Sequence, residues 1–243
     1  MRHFFVVRLL ALAILSTLLC GNTHAELDTE SIDQAVVIIH TFDIYGRRLG
    51  HGSGFVFATD SILTNYHVVA GAYYVEVETR MGERHQVGHL SLQDLKETLE
   101  NAIKGTYPAL DWVLLHVKNL GLPALKLADA SSLKLRETVF AVGHPLGLWY
   151  THSRGYINRL PDNLTGGLIL HQAPISKGNS GGPLLNTRDE VVGINVSKVI
   201  DGENLNLAIP LNYVIEAIRD SALVTYSLKE MVKNESQHKL LSK

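Results

Sequence analysis

The sequence predicts an all-β protein, a barrel or a sandwich, with a helix near its carboxyl end. Short apolar runs recur along the chain, and Gly, Asn or Asp stands between them. They do not alternate with long helical segments as βαβ units require. The 243 residues are 46% apolar and 19% charged, an ordinary globular balance that allows one large all-β domain or two small ones.

The first segment stands apart from that pattern. Arg2 and Arg8 are basic, residues 9–19 are almost unbroken apolar sequence, and Thr23-His24-Ala25 offers small residues where a signal peptidase reads. The run is too short to span a membrane comfortably, so residues 1–25 are predicted to be a cleaved export signal. The product would be secreted or periplasmic, with no stable membrane span left after cleavage. Lipidation at Cys20 is the alternative, although Leu18 and Leu19 precede it where small residues are usual. Cleavage after Ala25 would remove the only cysteine, and a core of this size needs no disulfide. The chain carries 22 basic against 24 acidic residues, and no basic run argues for nucleic acid or an anionic membrane as partner.

Strands are predicted at 36–40, 54–58, 61–65, 73–78, 112–117, 139–143, 168–172, 191–196 and 205–209. Two segments read as helix. Ser91-Leu92-Gln93-Asp94 has the form of a capping box, and Leu92, Leu95, Leu99 and Ile103 follow at helical spacing up to Gly105, giving a helix at 91–104. Pro210 opens the second, with Tyr213, Val214, Ala217 and Ile218 along one face. Beyond Tyr226 the sequence is lysine-rich and polar. It reads as a frayed helix or loose tail, 227–243, after a folded domain at 26–226.

Three short segments carry chemistry. Gly178-Asn179-Ser180-Gly181-Gly182-Pro183 presents a serine among glycines, approachable and surrounded by bare backbone. The N–H groups of Gly178 and Ser180 can supply two donors to an oxyanion. A serine hydroxyl is a weak nucleophile without a base, and a histidine has the right proton affinity. His67 lies in Thr64-Asn65-Tyr66-His67-Val68-Val69, just after a predicted strand. Asp111 precedes the buried-looking strand at 112–117, where an ionised carboxylate needs a partner, and the far nitrogen of the His67 ring would provide one. Each segment alone has a plainer meaning: a glycine turn, a packed histidine, a cap. The case rests on the three together, in the order His, Asp, Ser. His51, His85, His89, His116, His144 and His171 show no metal-ligand spacing, so no metal and no cofactor is expected.

These segments resemble the trypsin-like serine proteases, and within them the HtrA/Deg branch. The resemblance also runs through Gly52-Ser53-Gly54-Phe55-Val56-Phe57, Ala141-Val142-Gly143-His144-Pro145-Leu146-Gly147, Gln172-Ala173-Pro174-Ile175, Val192-Gly193-Ile194-Asn195 and Leu207-Ala208-Ile209-Pro210. It covers roughly residues 35–218 and implies two six-stranded antiparallel β-barrels of the chymotrypsin type, with the site in the cleft between them. His67 would be the general base, Asp111 its orienter, Ser180 the nucleophile, and Gly178 with Ser180 the oxyanion hole. Protein or peptide substrates are implied.

The resemblance also places Ile175 and Lys198 in the primary specificity pocket. Ile175 favours apolar side chains, whereas Lys198 either extends to solvent or recognises an acidic one. Departures accompany these likenesses. Residue 179 is Asn where an Asp is usual, no Ile-Val-Gly-Gly start is present, and residues 219–243 are too few for the PDZ domain that usually follows. The expectation is a serine endopeptidase. The alternative is a non-catalytic or latent peptide binder that keeps the fold and needs a partner for activity.

Overall fold

Val36-Val37-Ile38-Ile39 has no polar face to offer water, and it becomes the buried centre of the first of two β-sheets. The computed structural model describes residues 27–104, 110–145, 148–162, 167–198, 205–220 and 223–241. The predicted export signal and Cys20 lie outside them. Helix α1 (Thr29–Ala35), capped by the Asp28 carboxylate, leads straight into β1 (Val36–Phe42). β2 (Arg48–Ala58), β3 (Ser61–Thr64), helix α2 (Tyr66–Val69), β4 (Tyr74–Glu78), β5 (Arg84–Gln86), β6 (His89–Leu92), helix α3 (Leu95–Lys104) and β7 (Val113–His116) follow.

The strands pair in the order β6-β7-β3-β2-β1-β4-β5, and the sheet curls into a half-barrel. The chain passing from β5 to β6 bridges β4 and β7 with two backbone bonds. Val87 N–H donates to the Val75 carbonyl in β4, and Gly88 N–H donates to the His116 carbonyl in β7.

A crossing segment then forms β8 (Lys126–Leu127) and enters the second sheet. β9 (Thr138–Gly143), β10 (Thr151–Arg159), β11 (Ile169–His171), β12 (Pro183–Leu185), β13 (Glu190–Lys198) and β14 (Asn206–Pro210) pair in the order β12-β9-β10-β11-β14-β13. β12 also pairs with β13, which closes a six-stranded barrel, and β8 runs parallel to β13 outside the ring. The predicted all-β, two-barrel architecture is present as this closed ring plus the curled first sheet. Val139, Ala141, Ile157, Ile169, Leu184 and Val192 fill the closed barrel. Phe55, Ile62, Leu63, Trp112 and Leu115 anchor a larger cluster that also takes in Leu185, Val191, Ile194 and Ile209 from the second sheet.

Helix α4 (Leu211–Arg219) starts after Pro210 and buries Leu211, Val214 and Ala217, as its apolar face predicts. Two helical expectations need correction. Residues 91–94 do not begin α3: Ser91 and Leu92 belong to β6, bonded on both sides. The Ser91 hydroxyl bonds His116 Nε2 in β7 and Thr225 in β15 (Val224–Ser227), so the strand is satisfied where it lies. Asp94 itself caps the helix, accepting from Glu97 N–H at 3.0 Å.

The carboxyl-terminal residues, expected to be a frayed helix or loose tail, form β15 on the outer edge of β6 and then helix α5 (Leu228–Leu241). Ser227 and Glu230 make the reciprocal bonds of a capping box, and Leu228, Met231 and Glu235 are buried.

Candidate active site

Asn65 ends the extended chain of β3, and α2 makes one turn that carries His67. The backbone N–H of His67 donates to Asp111 Oδ1 at 2.9 Å, and its ring Nδ1 lies 2.6 Å from Asp111 Oδ2. A carboxylate facing Nδ1 at that distance holds the proton there and leaves Nε2 as the basic nitrogen. The Asp111 side chain is only 7% exposed, so these bonds replace the water it has lost. The Asn65 amide donates to the Asp111 carbonyl at 2.8 Å and fixes the backbone beneath the pair.

Ser180 sits in the turn before β12. Its hydroxyl donates to the Val196 carbonyl of β13 at 2.8 Å, and its own carbonyl accepts from Ser53 N–H of β2 at 2.8 Å. The preceding turn, 176–179, is closed by Asn179 N–H donating to the Ser176 carbonyl, with Gly178 in third place at φ +107°. A hydrogen-bonded turn with positive φ at that place has the type II form, which needs glycine there. Space makes the same demand, because a Cβ on Gly178 would clash with the His144 carbonyl oxygen. Among the described residues neither Gly178 N–H nor Ser180 N–H donates to another backbone group. Two main-chain donors beside the hydroxyl are therefore available to an anion.

A polar layer behind the turn holds it in place. The Ser53 hydroxyl donates to the Gly178 carbonyl at 2.7 Å and accepts from His144 N–H at 3.0 Å. The Thr64 hydroxyl donates to the Ser53 carbonyl, and the Asn195 amide donates to the Gly182 and Pro183 carbonyls.

His144 is fully buried, and burial first, then the neighbouring His51, pushes its pKa down to about 4. It stays neutral and accepts from Tyr150 N–H at Nδ1, 3.2 Å away, with the Tyr150 ring edge-on at 4.7 Å. His51, whose pKa is lowered by burial and by Arg48, has its Nε2 3.0 Å from where a Gly178 Cβ would stand.

The structure thus brings His67 and Asp111 together and sets Ser180, Gly178 and Ile175 on one segment. Ile175 is half-buried against the closed barrel's core. Lys198 ends β13 in register with Asn206, and its side chain lies outside what is described. Sequence reasoning included Ser53, Thr64 and Asn195 in its motifs without giving them a role. Ser53 acts from the first sheet on Gly178 and His144 of the second, Thr64 on Ser53, and Asn195 on the carbonyls of Gly182 and Pro183, and no local signal spells these contacts out. Among the described residues no group of three or more His, Cys, Asp or Glu side chains is arranged to hold a metal ion.

One class of protein combines two such β-sheets with a His–Asp pair held on the first and a glycine-flanked serine turn leading into a strand of the second. The trypsin-like peptidase domain family model matches residues 52–194, and the chain belongs to that family. Its relatives lie in the HtrA/Deg branch. The Pseudomonas putida protein named "Probable periplasmic serine endoprotease DegP-like" is 36% identical over 174 residues, 68% of this chain and 33% of its own length. The protein of the same name from Marinomonas sp. is 37% identical over 155 residues, 62% of this chain and 30% of its own.

Among solved structures, the HtrA-type protease AlgW with tripeptide superimposes with a TM-score of 0.66 at 25% identity, covering 81% of this chain and 62% of that one. The serine endoprotease from Yersinia pestis, at 22% identity and a TM-score of 0.65 over 86% of this chain and 66% of its own, shares the fold. The chain spans about a third of the length of the curated relatives it matches.

Proposed function

We propose that this chain is a serine endopeptidase that cleaves extended protein or peptide segments through an acyl-enzyme on Ser180. The observation that carries the reading is the Asp111 carboxylate, buried and bonded to both the ring and the backbone of His67. With Nδ1 so held, His67 Nε2 takes the proton of the Ser180 hydroxyl as Oγ attacks the scissile carbonyl carbon. The negative charge moves to the carbonyl oxygen, where the N–H groups of Gly178 and Ser180 stabilise it. The C–N bond breaks as His67 returns the proton to the leaving amine. Water then attacks the ester, with His67 again as base, and releases the carboxylic acid and free Ser180.

Ile175 supports an apolar preference at the cleavage site. The amino-terminal sequence and the names of the relatives support export to the periplasm or beyond.

Ser180→Ala is expected to abolish cleavage of an unfolded casein while leaving the fold intact, and a fluorophosphonate is expected to label Ser180 in the parent chain. Casein cleavage at the parent rate by the alanine variant, or label found on another residue, refutes the assignment. A second reading, a resting protease that needs a bound peptide or partner, has one observation in its favour. A hydroxyl donates one bond at a time, and that of Ser180 donates to Val196. Its signature is labelling that starts only when peptide is added.

A further inference from the structure

Helix α5 places a buried carboxylate at the back of the turn that carries His67. Glu235 is 6% exposed, and among the described residues no Lys, Arg or His side chain pairs with it. Its oxygens accept instead from two neutral donors. The Tyr66 hydroxyl donates to Oε1 at 2.5 Å, and Gly71 N–H reaches Oε2 at 2.9 Å and Oε1 at 3.1 Å. Tyr66 is the first residue of α2 and the neighbour of His67, and Gly71 is where the chain leaves the same turn. One carboxylate therefore clasps the turn at both ends, while Asp111 and Asn65 hold it from the opposite side.

Two physical arguments set this clasp apart from simple docking of α5. The helix already has other anchors: β15 pairs with β6 along four residues, and Leu228 and Met231 are buried. An apolar residue at 235 would add to that docking without the desolvation cost that burial of a carboxylate carries. The carboxylate adds direction, which apolar contact does not. A one-turn helix, for its part, has almost no stability of its own, so its orientation is whatever its tethers impose. Tyr66 suits the task. Burial, then the Glu235 charge, then Asp111 push its ionisation far above the usual tyrosine range, so its O–H remains a donor at any working pH. Glu235 lies beyond the segment matched by the family model, which ends at residue 194.

We propose that Glu235 is a positioning residue for His67, acting through Tyr66 and Gly71 to fix the turn on which the imidazole stands. The inference rests on the reading of His67 as general base. A misplacement of the order of an ångström at a reacting group can lower a rate by roughly 100-fold, so the effect belongs in kcat and not in KM.

The test uses the full chain with Glu235→Gln, Glu235→Ala, Tyr66→Phe and, as a control on the exposed side of α5, Gln237→Ala. Four quantities are read: the thermal midpoint, kcat and KM on an unfolded casein, the rate of Ser180 labelling by a fluorophosphonate, and the downfield proton resonance of His67 Nδ1–H. Folded Glu235→Gln and Tyr66→Phe are expected to lose about 10-fold or more in kcat and in labelling rate. KM should stay within about twofold, and the His67 resonance should broaden or move. Gln237→Ala should change none of these.

Parent-like kcat and an unmoved resonance in the folded variants overturn the proposal and leave Glu235 as a clip for α5. If Glu235→Ala unfolds, the two conservative variants decide. If the parent chain itself is never labelled, the peptidase reading falls, while the resonance still reports whether Glu235 holds His67.

Discussion

At the scale of single residues, Ser53 shows how much of the site is held by groups that never meet a substrate. Its hydroxyl joins the Gly178 carbonyl to His144 N–H, one bond given and one received. Ser53→Ala leaves both buried groups without that partner, at a cost of about 1–3 kcal/mol. We expect a lower thermal midpoint together with a lower kcat, and a variant equal to the parent in both would show that the layer is slack. His144 and His171 make the fold sensitive to acid. Burial lowers their pKa values to about 4 and about 3, against an ordinary 6.5. As pH falls from 6.5 toward 4 the unfolded chain binds protons on these rings and the folded chain does not. Stability is therefore complete above that window and lost on descending through it. A thermal midpoint that declines across this range, with a flatter decline in His171→Leu, is the expected record. The pairing of His67 with Asp111 was legible because an ionised carboxylate before a buried strand needs a partner, and the order His, Asp, Ser resembles that of the trypsin-like proteases. Ser53 was not, because its role exists only once β2 has met the turn at 178.

At the scale of elements, strands with a buried face were readable and polar ones were not. The segments at 36–40 and 191–196 have no plausible exposed form, and β1 and β13 contain them. β10 reads as Thr-His-Ser-Arg-Gly-Tyr-Ile-Asn-Arg, with only Gly155 and Ile157 buried, so no apolar alternation announced it. α5 did carry a signal, Ser227-Leu228-Lys229-Glu230, the same capping form sought at residue 91. The lysine-rich composition around it concealed the narrow face of Leu228, Met231 and Glu235. At residues 91–94 the opposite error arose: a local capping pattern yielded to a strand with partners on both sides, since tertiary pairing outweighs a cap worth about 1 kcal/mol. The Glu235 clasp belongs to this scale too, because α5 bears on the short helix that carries His67.

For the molecule as a whole, the two sheets are joined too extensively to behave as separate domains. One apolar cluster includes Phe55 and Leu63 of the first sheet and Ile194 and Ile209 of the second. α1 reaches from the first sheet to the second through Asp33, bonded to His152 at 2.7 Å. A single unfolding transition is expected, with calorimetric and van't Hoff enthalpies equal, and two resolved transitions would contradict it. The two-barrel plan was legible only through the resemblance, because periodicity alone left barrel and sandwich open. The connection between the sheets carries a last implication. Leu125 N–H bonds the Val56 carbonyl on one side and Ala128 N–H bonds the Val191 carbonyl on the other, so the strap across the junction is stitched to both jaws. Jaws stitched in this way resist shutting on one another. Whatever enters must adapt its own shape to theirs, and the entropy of straightening falls on the guest. If the site takes peptide as proposed, a chain that is already extended meets that demand at the least entropic cost.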